Sequence, residues 1–447
     1  MRYVSFVEHL QLEFSGNLMP QAMVLGDVDN DQDNELVAGN VNGQLMVFKG
    51  TDTTPWRMAS GLGMTSCAAV GDVCNTGKNV IMTLSAEGWC HVFSVSPNEK
   101  QNKDDEKDKE ATVAQAKGGP EEMTPVYQQL LAANGQAIVI ADIDKDGKNE
   151  IVIGYTDRVV RAYSWVESTS ATTGQDVLSG KFVLLQTWEL VGQVGSIVVT
   201  TGVDGQTELL ASQPGCTYTT LLMKDTGKGE GGDKENNEDE EEEEERQQAS
   251  GETVIFHPLV SSRARNPDVS TEIIGNLATG PSDDAGDCPG RGLYAMCTLD
   301  GTLMLGQGEE IVWSLQVDHH LFSLTKLDVT MDGKDEIVAC GWDGQTYIMD
   351  HLRNMVRFQF DQPVNAFCAG LYAVAPGKNV PCLVYATFHN NITLHFNTTL
   401  PCLLPTTLTD VLADKERVTQ LLQKLNLQDA DSGTLQQLYH WCIYGQP

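Results

Sequence analysis

The stretch "GDVDNDQDNELVAG", residues 26–39, sets acids at alternate positions: Asp27, Asp29, Asp31, Asp33 and Glu35. Like charges at this density repel, so an ordered loop needs compensation, either from a cation or from backbone N–H donors. Calcium takes six to eight oxygens. An EF-hand supplies them from a 12-residue loop between two helices, closed by a glutamate at position 12. Here the closing acid stands at position 9 and "LVAG" continues as a strand, so the EF-hand reading fails. A nine-residue hairpin loop instead offers carboxylates at positions 1, 3, 5 and 9 and a carbonyl at position 7.

The same spacing recurs. "DIDKDGKNE" offers Asp142, Asp144, Asp146, the Lys148 carbonyl and Glu150, with Gly147 at position 6 suited to a sharp turn. It is the best calcium candidate. The first loop ranks second: it offers Asp27, Asp29, Asp31, the Asp33 carbonyl and Glu35, but Gln32 replaces the glycine. "DVTMDGKDE" has one carboxylate fewer, with Asp328, Thr330, Asp332 and Glu336. "DVCNTGKNV" keeps Asp72 but places Cys74, Thr76 and Val80 at ligand positions, and reads as metal-free. The competing reading is that all these carboxylates accept backbone N–H bonds in Asx-turns and hold the loops without metal. The residues admit calcium and do not require it, and no other cofactor is implied.

Other chemistry is sparse. The nine histidines form no H-E-x-x-H pair, and no G-x-S-x-G or P-loop spacing occurs. Asp318-His319-His320 is the nearest approach to a catalytic cluster, but neighbours on a strand point to opposite faces. No catalytic residue is assigned and the expected class is non-enzymatic. The 11 cysteines include no C-x-x-C pair, and Cys67, Cys340, Cys368 and Cys382 sit in apolar runs. They read as buried free thiols of a reducing compartment. Trp56, Trp89, Trp165, Trp188, Trp313 and Trp342 fall in strand patterns and read first as packing residues, and otherwise as interface anchors.

The elements that must position the acidic loops form a repeat. "GDVDNDQDNELVAGNVNGQLMVFK", "GDVCNTGKNVIMTLSAEGWCHVFS", "ADIDKDGKNEIVIGYTDRVVRAYS" and "LDVTMDGKDEIVACGWDGQTYIMD" each run from an acidic loop into an apolar strand, a turn and a second strand. Asn42-Gly43, Glu87-Gly88 and Asp343-Gly344 mark the turns. Weaker copies at 201–223, 292–306 and 370–396 bring the total to seven. A hairpin alone cannot bury both faces, so the copies must stack. Spacings of about 45 residues fit four-stranded propeller blades. The expected fold is all-β, a seven-bladed β-propeller over residues 1–405, with a helical tail at 406–447. The strand in "VEHLQLEF" is expected to pair with the last blade and remove an exposed edge. Polar insertions at about 98–122 and 224–252, the second carrying "EDEEEEEE" at 238–245, read as disordered loops.

The net charge of −33 disfavours nucleic acid and direct insertion into anionic membranes. The N-terminus lacks a signal-peptide pattern, and no window reaches the roughly 18 apolar residues of a membrane span. The expected location is the cytoplasm, where the sequons at Asn391 and Asn397 are chance matches.

"DVDNDQDNE", "DIDKDGKNE" and "DVTMDGKDE" match the D-x-D-x-D-G-x-x-D/E loop of FG-GAP repeats, and the chain resembles the propellers built from them, as in integrin alpha subunits. With "LEFSG", "SQPGC", "CTLDGTL", "VDHHLFSL", "WDGQTYI" and "FCAGLYA" it resembles, over most of its length, the FG-GAP propeller subunits of the KICSTOR complex. That resemblance implies a non-enzymatic scaffold in a hetero-oligomer. The implied partners are kaptin, a large seizure-threshold scaffold subunit, a third small subunit and the GATOR complex, whose GTPase-activating function is recruited to the lysosomal surface. It implies negative regulation of TOR complex 1 in amino-acid or glucose deprivation, and peripheral attachment to the lysosomal membrane through partners. The alternative is a calcium-dependent, integrin-like ligand-binding propeller.

Overall fold

The computed structural model describes residues 2–95, 120–167, 179–202, 207–224, 253–258, 268–280, 292–404, 416–425, 427 and 430–445. The chain divides into two compact units, Tyr3–Leu400 and Pro401–Pro447. In the first, the described strands form seven sheets of predominantly antiparallel strands. The first blade comprises Leu18–Gly26, Glu35–Asn40, Leu45–Phe48 and Arg57–Ala59. The others follow in chain order, with innermost strands beginning at Thr65, Gly135, Ile197, Thr271, Leu321 and Val364. Each innermost strand packs beside the next, and that of the seventh packs beside that of the first. The ring is therefore a closed seven-bladed propeller, as the repeat predicts.

Apolar runs such as "LVAG" form strands buried on both faces because every blade is covered on both sides. Glu35–Asn40, Val80–Ser85, Glu150–Tyr155 and Glu336–Gly341 are buried at every position. Outer strands such as Glu310–Gln316 are largely exposed. The core lies between blades. Leu36, Met46 and Phe48 of the first meet Tyr372, Val384 and Leu394 of the seventh. Full burial of each large side chain is worth about 1.5–3 kcal/mol. Gly26 permits close approach at the next seam, since a Cβ there would meet Val70 at 2.9 Å.

Three details bear on the sequence pattern. The turn residues Asn42-Gly43 do not both adopt positive φ: the Gly43 N–H donates to the Asn40 carbonyl at 3.2 Å, and Gly43, at φ 76°, carries the left-handed conformation. In the third blade Arg158 takes that place at φ 69°. Second, the expected insertions lie largely outside the described residues, but Glu121–Glu122 is a short strand parallel to Arg57–Ala59. The Arg57 guanidinium anchors it on Glu121 at 2.8 Å, so the first loop ends before residue 122. Third, the seven cysteines Cys67, Cys74, Cys90, Cys216, Cys297, Cys340 and Cys382 are buried free thiols, and Cys368 is partly buried.

The second unit holds the helices α1, Glu416–Lys424, and α2, Ser432–Tyr444. Asp431 caps α2 by accepting from the Thr434 N–H at 3.4 Å. Gly445, at φ 68°, closes it through an N–H bond to the Trp441 carbonyl at 2.8 Å.

His9–Leu12 pairs antiparallel with Ile392–Phe396, the third strand of the seventh blade, and so supplies that blade's outermost strand, as expected from "VEHLQLEF". Leu12 is 3% exposed within the seam between the first and seventh blades. Leu12→Ala should lower stability by about 2–4 kcal/mol in denaturant titrations, while Val7→Ala, at a residue 82% exposed, should stay within about 0.5 kcal/mol.

Candidate functional site

The acidic loops connect the innermost strand of a blade to the strand beside it, and all four use one scaffold. The first acid accepts the N–H of position 6. Gln32 donates to Asp27 at 2.9 Å, Gly77 to Asp72 at 2.6 Å, Gly147 to Asp142 at 3.0 Å and Gly333 to Asp328 at 2.8 Å. Positions 4 and 6 both have positive φ: Asn30 and Gln32, Asn75 and Gly77, Lys145 and Gly147, Met331 and Gly333. Gln32 adopts this conformation at φ 72° despite its side chain, at a steric cost of about 1 kcal/mol. The closing glutamates accept the N–H of position 2: Val28 to Glu35 at 3.1 Å, Ile143 to Glu150 at 3.0 Å and Val329 to Glu336 at 2.7 Å. Backbone N–H groups of the loops thus bind the first acid and, in three of the four, the closing glutamate.

The loops also tie blades together. Asn79 N–H donates to the Asn30 side chain at 2.7 Å, and the Asn79 amide returns a bond to the Asp27 carbonyl at 3.1 Å. Asn149 repeats both bonds with Asn75 and Asp72, at 2.6 and 3.1 Å. At the closing seam, the Asn34 N–H donates to Asn379 at 2.9 Å and the Asn379 amide to the Gln32 carbonyl at 2.7 Å. The Asp33 carboxylate accepts the Gly377 N–H at 2.9 and 3.0 Å, so its side chain serves this seam.

Two loops bring three carboxylates to within 4.8 Å of one another: Asp142, Asp144 and Asp146, and Asp27, Asp29 and Glu35. They differ in what faces the carboxylates. In the third loop Asp144 and Asp146 are exposed, and Asp142 Oδ1 is buried without a hydrogen-bond partner. Lys148, expected to offer its carbonyl, donates its N–H to Asp146 at 2.8 Å. Ser164 is the cross-strand neighbour of the closing Glu150. In the first loop Lys49, which follows the strand Leu45–Phe48, places its ammonium 2.8 Å from Asp29, 2.7 Å from Asp31 and 2.7 Å from Glu35. Burial opposes the charge on Lys49, but these three carboxylates hold its pKa well above the ordinary value. Sequence reasoning over the nine-residue loop missed Lys49, which lies 14 residues after Glu35. The signal was present in the aligned copies, where "QLMVFK" ends in lysine and "VVRAYS" in serine.

The histidine pair lies in the turn between Glu310–Gln316 and Leu321–Leu327, not on a strand, and the two rings take different partners. His319 Nδ1 contacts Asp343, and His320 Nδ1 lies 2.9 Å from the Leu299 carbonyl. Trp165 and Trp188 are buried packing residues, whereas Trp89 and Trp342 are each 44% exposed. Trp342 joins Met64, Phe322 and Phe388 around a cavity of about 630 Å³, whose polar lining includes Gln21, Gln136 and Glu272.

A sequence profile of the family "Integrin-alpha FG-GAP repeat-containing protein 2" matches residues 49–400. The chain belongs to this family. It is 44% identical, over 99% of its length and 96% of the relative's, to the mouse (Mus musculus) protein named KICSTOR complex protein ITFG2. The cattle (Bos taurus) protein of the same name is 43% identical over 100% of this chain and 78% of its own. Among solved structures, BBS1N in complex with ARL6DN, soaked with mercury, superposes with a TM-score of 0.55 at 12% identity, covering 88% of this chain and 97% of that one. This likeness speaks to the propeller fold alone.

Burial pushes the carboxyls of Glu150 and Glu336 up to about 7. Folded-state pKa values above the unfolded ones favour the neutral form. Their contribution to stability is therefore fully present below the unfolded pKa, about 4.5, and declines as pH rises towards 7. Glu336→Gln keeps an acceptor for the Val329 N–H and removes the charge. In chelator, its melting temperature should change less between pH 5 and 8 than that of the parent, with the gain appearing at pH 8. An unchanged profile would count against burial as the governing effect.

Proposed function

We propose that this chain is a non-enzymatic subunit of a KICSTOR-type complex. The observation that carries the reading is the 44% identity, across 99% of the chain, to a protein bearing that complex's name. A closed ring suits this role, because a rigid scaffold presents many loops for contact without itself rearranging. Exposed Trp89, Trp342 and Phe388 are the kind of rigid aromatic side chains that anchor interfaces. No helix among the described residues is long and apolar enough to cross a membrane, and attachment to the lysosomal surface through partners accords with that.

In this reading the propeller helps hold kaptin, the large seizure-threshold scaffold subunit and a third small subunit together. It contributes to recruiting the GATOR complex and so restrains TOR complex 1 when amino acids or glucose are scarce. Affinity purification of the tagged chain from starved cells should recover kaptin and GATOR subunits. Their absence under conditions that preserve the propeller would remove the assignment.

The third-blade loop is proposed as the divalent-cation position, with Asp142, Asp144, Asp146, the Lys148 carbonyl and Glu150 as oxygen donors. The unpartnered Asp142 Oδ1 and the three converging carboxylates fit a hard cation. A bound ion would screen repulsion within the loop and brace the blade; it would not act in a reaction. Calcium titration followed by calorimetry should show heat that Asp144→Asn abolishes, together with a calcium-dependent rise in melting temperature. Neither heat nor stabilisation at millimolar calcium would leave the loop as a metal-free Asx-turn.

A further inference from the structure

The first-blade loop carries more acids than the other three acidic loops, yet its cage already contains a positive charge. Asp29 is 2% exposed and Glu35 is fully buried. Buried carboxylates are costly unless paired. The Lys49 ammonium contacts Asp29, Asp31 and Glu35 at 2.7–2.8 Å and lies 5.0 Å from the centre of the Trp56 ring. Asp29 directs Oδ2 at Lys49, while its buried Oδ1 has no hydrogen-bond partner. The carboxylates are therefore gathered around one cation and retain spare acceptor capacity.

We infer that Lys49 is a tethered replacement for a divalent ion in the first blade, and that this cage becomes a metal site when the lysine charge is removed. One ammonium contributes a single charge and three N–H donors, and here three carboxylates meet it. A second cation in the same volume would face Lys49 at contact distance and be repelled. Without that ammonium, Asp27, Asp29 and Glu35 retain oxygens within 4.8 Å of one another, with Asp31 beside them. These hard oxygen donors suit calcium or a lanthanide. The cross-strand position decides the outcome: it is Lys49 beside Glu35 and Ser164 beside Glu150. Because Asn34 and Asp33 bind the seventh blade, the tethered cation also holds the loop that closes the ring.

The test uses the full chain carrying Asp144→Asn and Asp146→Asn, which silence the third loop and keep the two readings separable. In this parent, millimolar calcium should leave the melting temperature unchanged, and terbium should give no saturable luminescence sensitised by Trp56. Adding Lys49→Met should lower the melting temperature by about 5 °C in chelator, with recovery in calcium. It should also create terbium luminescence that Trp56→Phe abolishes. Lys49→Arg, which keeps a cation, should behave as the parent does. If Lys49→Met does not fold, Lys49→Gln is read in the same way. A Trp56-dependent terbium signal or a calcium shift in the parent overturns the inference. So does failure of both neutral variants to gain terbium binding.

Discussion

An aspartate that accepts the backbone N–H groups of its own loop is the interaction on which the rest of this propeller depends. The innermost strand of a blade must reverse into a fully buried neighbour within a few residues. Doing so leaves amides at positions 4 to 6 with no strand partner, and a carboxylate that accepts several of them at once fixes the turn even where it faces solvent. Asp27 takes the N–H groups of Asn30, Asp31 and Gln32. Asp72 and Asp328 each take two, from Thr76 and Gly77 and from Asp332 and Gly333. That demand holds with or without metal, which is why the first acid persists in the second blade after Cys74 and Val80 have replaced the other ligand types. The acidic repeat is a folding device first.

Once fixed, the same loops become fasteners between blades. Propeller blades meet through apolar faces, and such faces specify packing density better than rotational register. The paired bonds of Asn30 with Asn79 and of Asn75 with Asn149 are directional and sit at the edge of those faces. Asn34 and Asn379 extend the arrangement across the closing seam, where chain connectivity gives no help. Pairing of His9–Leu12 with the seventh blade closes the outer edge of the same seam. Closure therefore rests on an N-terminal strand at the outer edge and polar bonds at the loops, with the apolar cluster of Leu36, Phe48, Tyr372 and Val384 between them.

Much of this was legible in the sequence because it is local and repeated. Seven copies and their buried strands recur, with an acid at position 1 in four of them and a turn glycine at a fixed offset in three of those four. What was not legible depends on residues brought together from different strands or blades. The Asn34–Asn379 contact spans most of the chain and leaves no local pattern. Trp165 and Trp342 both lie in strand-and-turn patterns, but only neighbouring blades decide that one is buried and the other exposed. Lys49 falls between these cases. Its place in the repeat was visible, but reading it as the counter-charge requires knowing that the strand end packs over the loop.

That placement distinguishes two ways of neutralising one kind of loop. A bound ion stabilises a fold only as far as its concentration exceeds its dissociation constant. A lysine tethered through the blade has no concentration dependence and needs no open coordination position. Its limitation is charge: one ammonium among Asp29, Asp31 and Glu35 leaves the cluster net negative, so the remaining balance must come from backbone donors. Val28 to Glu35, Asp33 to Asp31 and Gln32 to Asp27 supply them. The two loops therefore share one backbone and differ in what their stability responds to. The first, at the seam that closes the ring, is held by covalent connectivity. The third, where serine stands opposite the closing glutamate, leaves its carboxylates open to solution.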